Sequence, residues 1–387
     1  MISCGERAMP EQADVVIIGA GIIGWSIAYY LRRSGVDVCL LERAEIGAGA
    51  SAAAAGLLAP LGPLDGPGPL ASLLFTGCSL LPQLVAELEA KIALRRIDLE
   101  QAGALRLACN RRAVGRLQRR LQRWRTLGVE LSWLTGEEAR AWEPLLSTEV
   151  QGAVYASQEG QLRADELLRA VSQAAQQAGV RCYQHCEANG LRQRAGRVLA
   201  VQTVSRGEIA CDCLVIAAGA WSAQCCAWLD FPLPVKPVRG QLLSLRLPPV
   251  LPTLHHLIFG RGIYLVPRRD GSLTVGATRE DVGFDLRVTA DGVAWLLAQA
   301  QGLVPALAQA TVERSWAGLR PSTPDGLPLL GPLPGWQNVI LATGHGSVGV
   351  MLSALTGQLI SEFICTGQRS PLLLACNPGR FSTPSAR

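Results

Sequence analysis

The chain has 387 residues, a formal net charge of +5, and a composition of 49% hydrophobic, 17% charged and 5% aromatic residues. That balance excludes an intrinsically disordered chain, and the length favours one large two-part globule. The positive charge comes almost wholly from arginine, Lys91 and Lys236 being the only lysines, and its scatter in single residues and short runs argues against a nucleic-acid partner.

Residues 1–13 show no periodic pattern and read as a disordered leader. Residues 15–18 are a continuous apolar run ending in glycines, 22–33 have helical composition, and 36–41 are a second apolar run, which together predict a strand–helix–strand unit. A Gly/Ala-rich segment (47–56) and a Pro/Gly-rich loop (60–69) follow, then helices over 70–94 and 111–127 with a strand over 103–109 between them. In the second helix arginines from Arg111 to Arg125 alternate with Leu and Trp at helical spacing, the signature of a solvated amphipathic face. From 152 onward the pattern predicts a strand near Val154, a helix over 165–178, and strands near Arg181, over 198–204 and over 209–217, the last ending in Ala218-Gly219.

Residues 235–280 are strand-rich with turn signals at Arg239-Gly240, 260–262 and Asp270-Gly271, which predicts an antiparallel sheet walling a substrate pocket. A helix over 291–302, a strand running to Leu319, a Pro/Gly-rich stretch (321–335), a short strand over 338–342 and a long helix over 347–365 complete the order. The Ser/Pro-rich residues after Gly367 read as a mobile tail. The longest apolar stretch noted, 339–364, is interrupted by polar residues and glycines, so no membrane span is expected. The twelve cysteines lack the spacing of a secreted framework, and no signal peptide precedes them, which points to a reducing, cytoplasmic setting. Cys211 and Cys213 alternate in one strand and Cys182 and Cys186 flank another, a pattern of small buried side chains with no metal site expected.

Gly19-Ala20-Gly21-Ile22-Ile23-Gly24 follows a buried strand and opens a helix, the context a dinucleotide fingerprint requires. Gly19 permits the tight turn, Gly21 lets the backbone approach a pyrophosphate, Gly24 lets helix pack on strand, and the helix N-terminus holds the anion. Glu42, at the end of the second strand, is placed to accept a hydrogen bond from a ribose hydroxyl, which disfavours a 2′-phosphate. The segment from Gly47 to Leu58 is so small-sided that its backbone can reach a flat ring.

On these residues the chain resembles the D-amino-acid oxidase-like flavoprotein family, and within it the glycine oxidases of thiazole, hence thiamine, biosynthesis. The ASAAAAGLLAP run, the VIAAGAWS strand exit, the GIYLVPRRDGSLTVGATRE hairpin, the WAGLRPSTPDGLPLLG segment and ATGHGSVGVMLSALTG carry the resemblance, over residues 14 to about 366. It implies an α/β chain in which a Rossmann-like FAD-binding domain with a central parallel sheet (14–60, 151–228 and 320–366) is joined to an α+β substrate domain with an antiparallel sheet (61–150 and 229–319), between the leader (1–13) and the tail (367–387).

The resemblance also implies contacts. FAD is expected at Ile22 and Ile23 by the pyrophosphate, at Glu42 and Arg43 by the adenosine, at Ala188 by the adenine, at Ala50, Ser51, Ala55, Gly56 and Leu57 by the flavin, and at Gly219. His345, Gly346, Ser347, Val348, Gly349, Val350 and Met351 open the last helix, whose N–H groups are expected to face the edge of the flavin that gathers charge on reduction; His345 reads as structural or flavin-adjacent more than as a general base. Arg320 is expected to grip a substrate carboxylate with its bidentate fork, assisted by Tyr264, with Ser347 and Leu57 beside the substrate. Many glycine oxidases carry arginine where this chain has Ser347, which leaves substrate choice open. Gly318 stands where related sarcosine oxidases have a flavin-tethering cysteine, so the FAD is expected to be non-covalent.

The implied chemistry is hydride transfer from the substrate Cα to flavin N5, imine hydrolysis, and reoxidation by O2 with release of H2O2, positioning carrying the catalysis. Three functions stay open at this level: an oxidase of glycine, sarcosine or small D-amino acids; an FAD-dependent amino-acid dehydrogenase passing electrons to a quinone or protein acceptor; and a non-catalytic flavin-binding protein. A homo-oligomer is compatible with all three.

Overall fold

The computed structural model describes residues 11–92 and 97–381. Its first sheet is built on the strand Glu11–Ile18, whose neighbours Val38–Leu41 and Gly207–Ile216 run parallel to it. Arg181–Tyr183 extends the parallel order on one side and Val339–Thr343 on the other, with Leu329–Pro332 antiparallel at the edge. Strands buried on both faces read as unbroken apolar runs, and VVII, VCLL and CLVI do. A ribbon of Ala188–Arg194 and Arg197–Thr203 hangs on Gly207–Ile216; the first of these two strands was not expected.

Four helices cover one face of this sheet: Ile22–Arg33, Pro69–Lys91, Ala164–Gln177 and Gly349–Thr366, all contributing to a single buried cluster. The first has the boundaries its composition predicted. Pro69–Lys91 and Gly349–Thr366 are both long and apolar enough to cross a membrane, the first of them lying outside the apolar stretch 339–364. They pack on each other, through Gly77, where an added Cβ would come 2.5 Å from the Met351 carbonyl oxygen.

The second sheet has the strand order Thr311–Ser322, Lys236–Arg246, Ser272–Gly276, Ile263–Pro267, Leu257–Gly260, Ala104–Ala108, Gly152–Ala156, Leu131–Thr135. All neighbours are antiparallel except Leu257–Gly260 beside Ala104–Ala108. Helix Ala290–Leu303 closes one face of it through Leu296, Ala300 and Leu303. On helix Arg111–Arg125, Leu117, Leu121 and Trp124 turn inward and the arginines outward, as their spacing required, except Arg120, which is half-buried against Trp124 and donates to the Gly62 and Leu64 carbonyls.

Several boundaries differ from the sequence reading. The first strand starts at Glu11, inside the expected leader, because Glu11 to Ala13 continue the pairing with residues 209–211; residues 1–10 lie outside the described region. Gly152–Ala156, grouped at the sequence level with the cofactor side, is a strand of the second sheet, and so is Arg320, at the end of Thr311–Ser322. The expected mobile tail is docked as far as Phe381: Leu373 and Cys376 are buried, the Leu330 N–H donates to the Cys376 carbonyl, and Arg380 pairs with Asp325 at 2.7 Å. Residues 382–387 are outside the described region.

Candidate functional site

Where the two sheets meet, one cavity of about 500 Å³ runs from Glu42 and Ala188 to Arg320 and Tyr264. The glycine loop forms its floor. Gly19 has φ +108° and sits against the Ala217 carbonyl, and a Cβ on Gly24 would lie 2.0 Å from the Gly19 carbonyl oxygen, so both positions exclude any side chain. Gly24 therefore shapes the loop from behind, while Gly19, Gly21, Ile22 and Ile23 line the cavity.

Glu42 ties this loop down. Its two carboxylate oxygens accept from the Ala20 N–H at 2.9 Å and the Ala44 N–H at 3.0 Å, which leaves one lone pair on each for a ligand hydroxyl. Next to it the Arg43 guanidinium lies 4.0 Å from the centroid of the Trp221 ring, which stacks on Phe284 at 5.3 Å. Ser51, on the short helix Ala50–Ala53, accepts the Ile22 N–H at 2.9 Å and so satisfies a donor at the start of the glycine-loop helix. Ala188 and Gly219 border the same cavity.

Ala55, Gly56 and Leu57 form the opposite wall. Gly56 has φ +68°, and a Cβ there would meet the Leu162 carbonyl oxygen at 1.9 Å. This crowding of backbone on backbone is why small residues fill the segment. At Gly318 a Cβ would stand 2.5 Å from that of Ala53, so a cysteine has no room unless the short helix moves.

At the far end Arg320 is set by its own strand and by Lys236–Arg246. Its Nη1 donates to the Thr278 carbonyl at 3.0 Å and to that of Arg239 at 3.4 Å, and the guanidinium also meets the Tyr264 hydroxyl. Gly240 makes room for it, since a Cβ there would lie 2.3 Å from both Nη atoms. Burial lowers the Arg320 pKa and raises that of the neighbouring Tyr264, so at neutral pH the pair is a guanidinium beside an un-ionised phenol.

His345, Gly346, Ser347, Gly349 and Val350 bring the entrance of the last helix to this end. That helix begins at Gly349, two residues later than expected, after a turn in which the Gly346 N–H donates to the Pro321 carbonyl. Val348 and Met351 do not reach the cavity; both are buried in the helical core. His345 is buried, its Nε2 is 3.1 Å from the Thr356 hydroxyl, and burial pushes its pKa down to about 3. The imidazole is neutral across the physiological range, which fits a structural part and not that of a titrating base.

Three elements were not foreseen. Arg239, itself buried, clamps the segment that borders the cavity mouth: it bonds Glu280 at 2.5 Å, Asp285 at 3.0 Å and the Arg287 carbonyl at 2.9 Å, and carries Leu286 to the cavity. Trp221 stacks under Arg43. Arg268 supports the 55–57 wall from behind, with Nη2 2.5 Å from the Ala55 carbonyl oxygen. All three stand in segments that the sequence singles out, but nothing local names their partners, which lie far off in the chain.

The donor set suits a dinucleotide: a side-chain-free loop, an acid beside it, and a wall of bare backbone leading to a guanidinium. The chain matches the family model described as FAD dependent oxidoreductase over residues 14–363. It is 37% identical over 359 residues to glycine oxidase of Geobacillus kaustophilus (strain HTA426), covering 92% of this chain and 94% of that one. With glycine oxidase of Pseudomonas aeruginosa it shares 34% over 360 residues, covering 93% and 96%. A crystal structure of glycine oxidase from Geobacillus kaustophilus superposes with a TM-score of 0.91 at 35% identity, over 96% of this chain and 99% of that one.

Proposed function

The chain belongs to the FAD-dependent oxidoreductase family, and on that premise we propose that it oxidises the C–N bond of a small amino acid such as glycine, with O2 as acceptor. The observation that carries the reading is the Arg320 fork, lining the cavity that the glycine loop floors, with Nη1 held by two carbonyls and the Tyr264 hydroxyl beside it. A planar fork of this kind fits a carboxylate and fixes the direction in which Cα points.

FAD bound along the loop supplies the two-electron acceptor for the hydride equivalent that leaves Cα. The protein's own residues do the rest. Ser51, Glu42 and the bare backbone at Gly19 and Gly21 hold the dinucleotide, and Gly318 leaves it untethered. Arg320 orients the carboxylate, the un-ionised Tyr264 hydroxyl supports that end, and Ser347 and Leu57 border the substrate. No titrating base is required, since the amine loses hydride, not a proton, from carbon; the imine then takes up water and releases ammonia. His345, kept neutral by burial, fits that scheme. With O2 as the acceptor, the two electrons taken from the substrate would leave as hydrogen peroxide. The free cysteines among the described residues support a reducing, cytoplasmic setting.

The test is peroxide release under air on adding glycine, sarcosine or small D-amino acids to the flavin-loaded protein. Peroxide with at least one of them supports the oxidase. Loss of flavin colour without reoxidation by air would move the chain to the dehydrogenases, and no colour change with any amine would end the amine-oxidation reading.

A further inference from the structure

Arg268 lies behind the wall formed by residues 55–57, at the end of the strand Ile263–Pro267. Its guanidinium touches four oxygens: the carbonyls of Ala55 at 2.5 Å and Leu162 at 3.1 Å, the Gln161 side-chain carbonyl at 2.9 Å, and the Thr274 hydroxyl at 3.4 Å. All four are neutral. No carboxylate pairs with Arg268 among the described residues, and the two acids nearby, Asp165 and Asp270, are both engaged by Arg163, at 2.9 and 3.5 Å. Burial pushes its pKa down to about 10, so the group stays charged at neutral pH despite the desolvation it bears.

A desolvated cation with only neutral partners is costly unless a negative charge arrives from elsewhere. The cavity side of the same wall is where one would come. Gly56 borders the cavity, and its N–H makes no hydrogen bond among the described residues. In a trans peptide the C=O and N–H point in opposite directions. Because Arg268 holds the Ala55 carbonyl, the Gly56 N–H of that peptide is turned away from Arg268, and the guanidinium polarises it further.

We propose that Arg268 is a positioning residue for the redox centre, one that aims and polarises the Ala55–Gly56 peptide and supplies the positive charge balancing the negative charge FAD gains on two-electron reduction. This rests on the reading of the cavity as an FAD site. Its consequence is a raised reduction potential of the bound flavin and tighter binding of anions that add to it.

The test uses the flavin-loaded protein and three substitutions: Arg268→Gln, which removes the charge; Arg268→Lys, which keeps charge without the fork; and Gln161→Glu, which gives Arg268 a carboxylate partner at the cost of the amide's bonds to the Pro267 carbonyl and the Glu100 carboxylate, and is therefore read above pH ~8, where the new carboxyl is ionised. The midpoint potential is read by dye equilibration, and the affinity for sulfite by loss of the flavin's visible absorbance. Gln161→Glu and Arg268→Gln are expected to destabilise the reduced form about tenfold, equal to about 30 mV for a two-electron couple, and to weaken sulfite binding by a similar factor. Arg268→Lys is expected to stay within threefold of the parent in both readouts. A Gln161→Glu protein that keeps flavin, potential and sulfite affinity overturns the proposal even if the Arg268 variants do not fold. A protein that takes up no flavin at all overturns instead the reading of the cavity on which it rests.

Discussion

Replacing Gly240 with alanine perturbs the Arg320 end of the cavity, where we place the substrate carboxylate, and little else in it. The added Cβ would lie 2.3 Å from both Nη atoms of Arg320, and an ordinary contact starts near 3.4 Å, so the guanidinium must retreat by about 1 Å. What moves is the far end of a flexible side chain, not backbone, and Gly240 lies in the regular strand Lys236–Arg246 without a positive φ, so folding loses little. The displaced fork, however, forfeits about one charge-assisted hydrogen bond to the substrate, about 2 kcal/mol, which at 1.4 kcal/mol per decade is about 30-fold in kcat/KM. The assay is steady-state oxidation of a small amino acid alongside thermal melting and flavin content. The expected outcome is a 30-fold lower kcat/KM with flavin retained and a melting temperature within about 2 °C of the parent. Unchanged kcat/KM would refute the placement of Arg320 at the substrate. A loss of activity that tracked a loss of fold would refute the claim that the side chain yields and the backbone does not.

Arg320→Met removes the fork altogether and is expected to lower kcat/KM by about 10²- to 10³-fold while the flavin spectrum persists, as stopped-flow reduction would show. Gly56→Ala puts a Cβ 1.9 Å from a backbone oxygen at a positive φ, and is expected to lower stability by roughly 3 kcal/mol and to weaken FAD binding, read by urea unfolding and by flavin retained on dilution. His345 has a folded pKa of about 3 against an ordinary 6.5. The unfolded chain therefore binds the extra proton between those values, and the folded protein loses stability as pH falls below 6.5, at about 1.4 kcal/mol per pH unit, with no contribution above it. His345→Gln is expected to flatten that part of a melting-temperature profile from pH 7 to pH 4 and to leave the pH dependence of turnover above pH 6.5 unaltered.

The parts that could be seen in the sequence are those whose meaning is local. The glycine loop, its helix Ile22–Arg33 and the buried strands beside it announce themselves within thirty residues, because turn, dipole and apolar run are neighbours in the chain. Arg320 was visible only through its motif; its support by the Thr278 carbonyl and the space left by Gly240 arise from strand pairing. Arg268 looked like one of two arginines before a hairpin turn, and nothing nearby pointed to Ala55, which it meets across 213 positions. Sheet membership was similarly hidden at Gly152–Ala156, since alternation identifies a strand but not its neighbours. The tail misled because its Ser/Pro-rich composition outweighed Leu373 and Cys376, which earn their burial only against Leu330 and the core helices.

An FAD held in this cavity, with the Arg320 guanidinium choosing what reaches it, is the proposal on which the rest depends. The direct measurement is anaerobic titration of the purified, flavin-loaded protein with glycine and small D-amino acids, and with the amines that lack their carboxylate, following the flavin's visible absorbance. At least one amino acid is expected to bleach the flavin at concentrations where its carboxylate-free counterpart does not, and Arg320→Met is expected to erase the difference. Equal bleaching by both kinds of ligand, or a protein that binds no flavin, would contradict it.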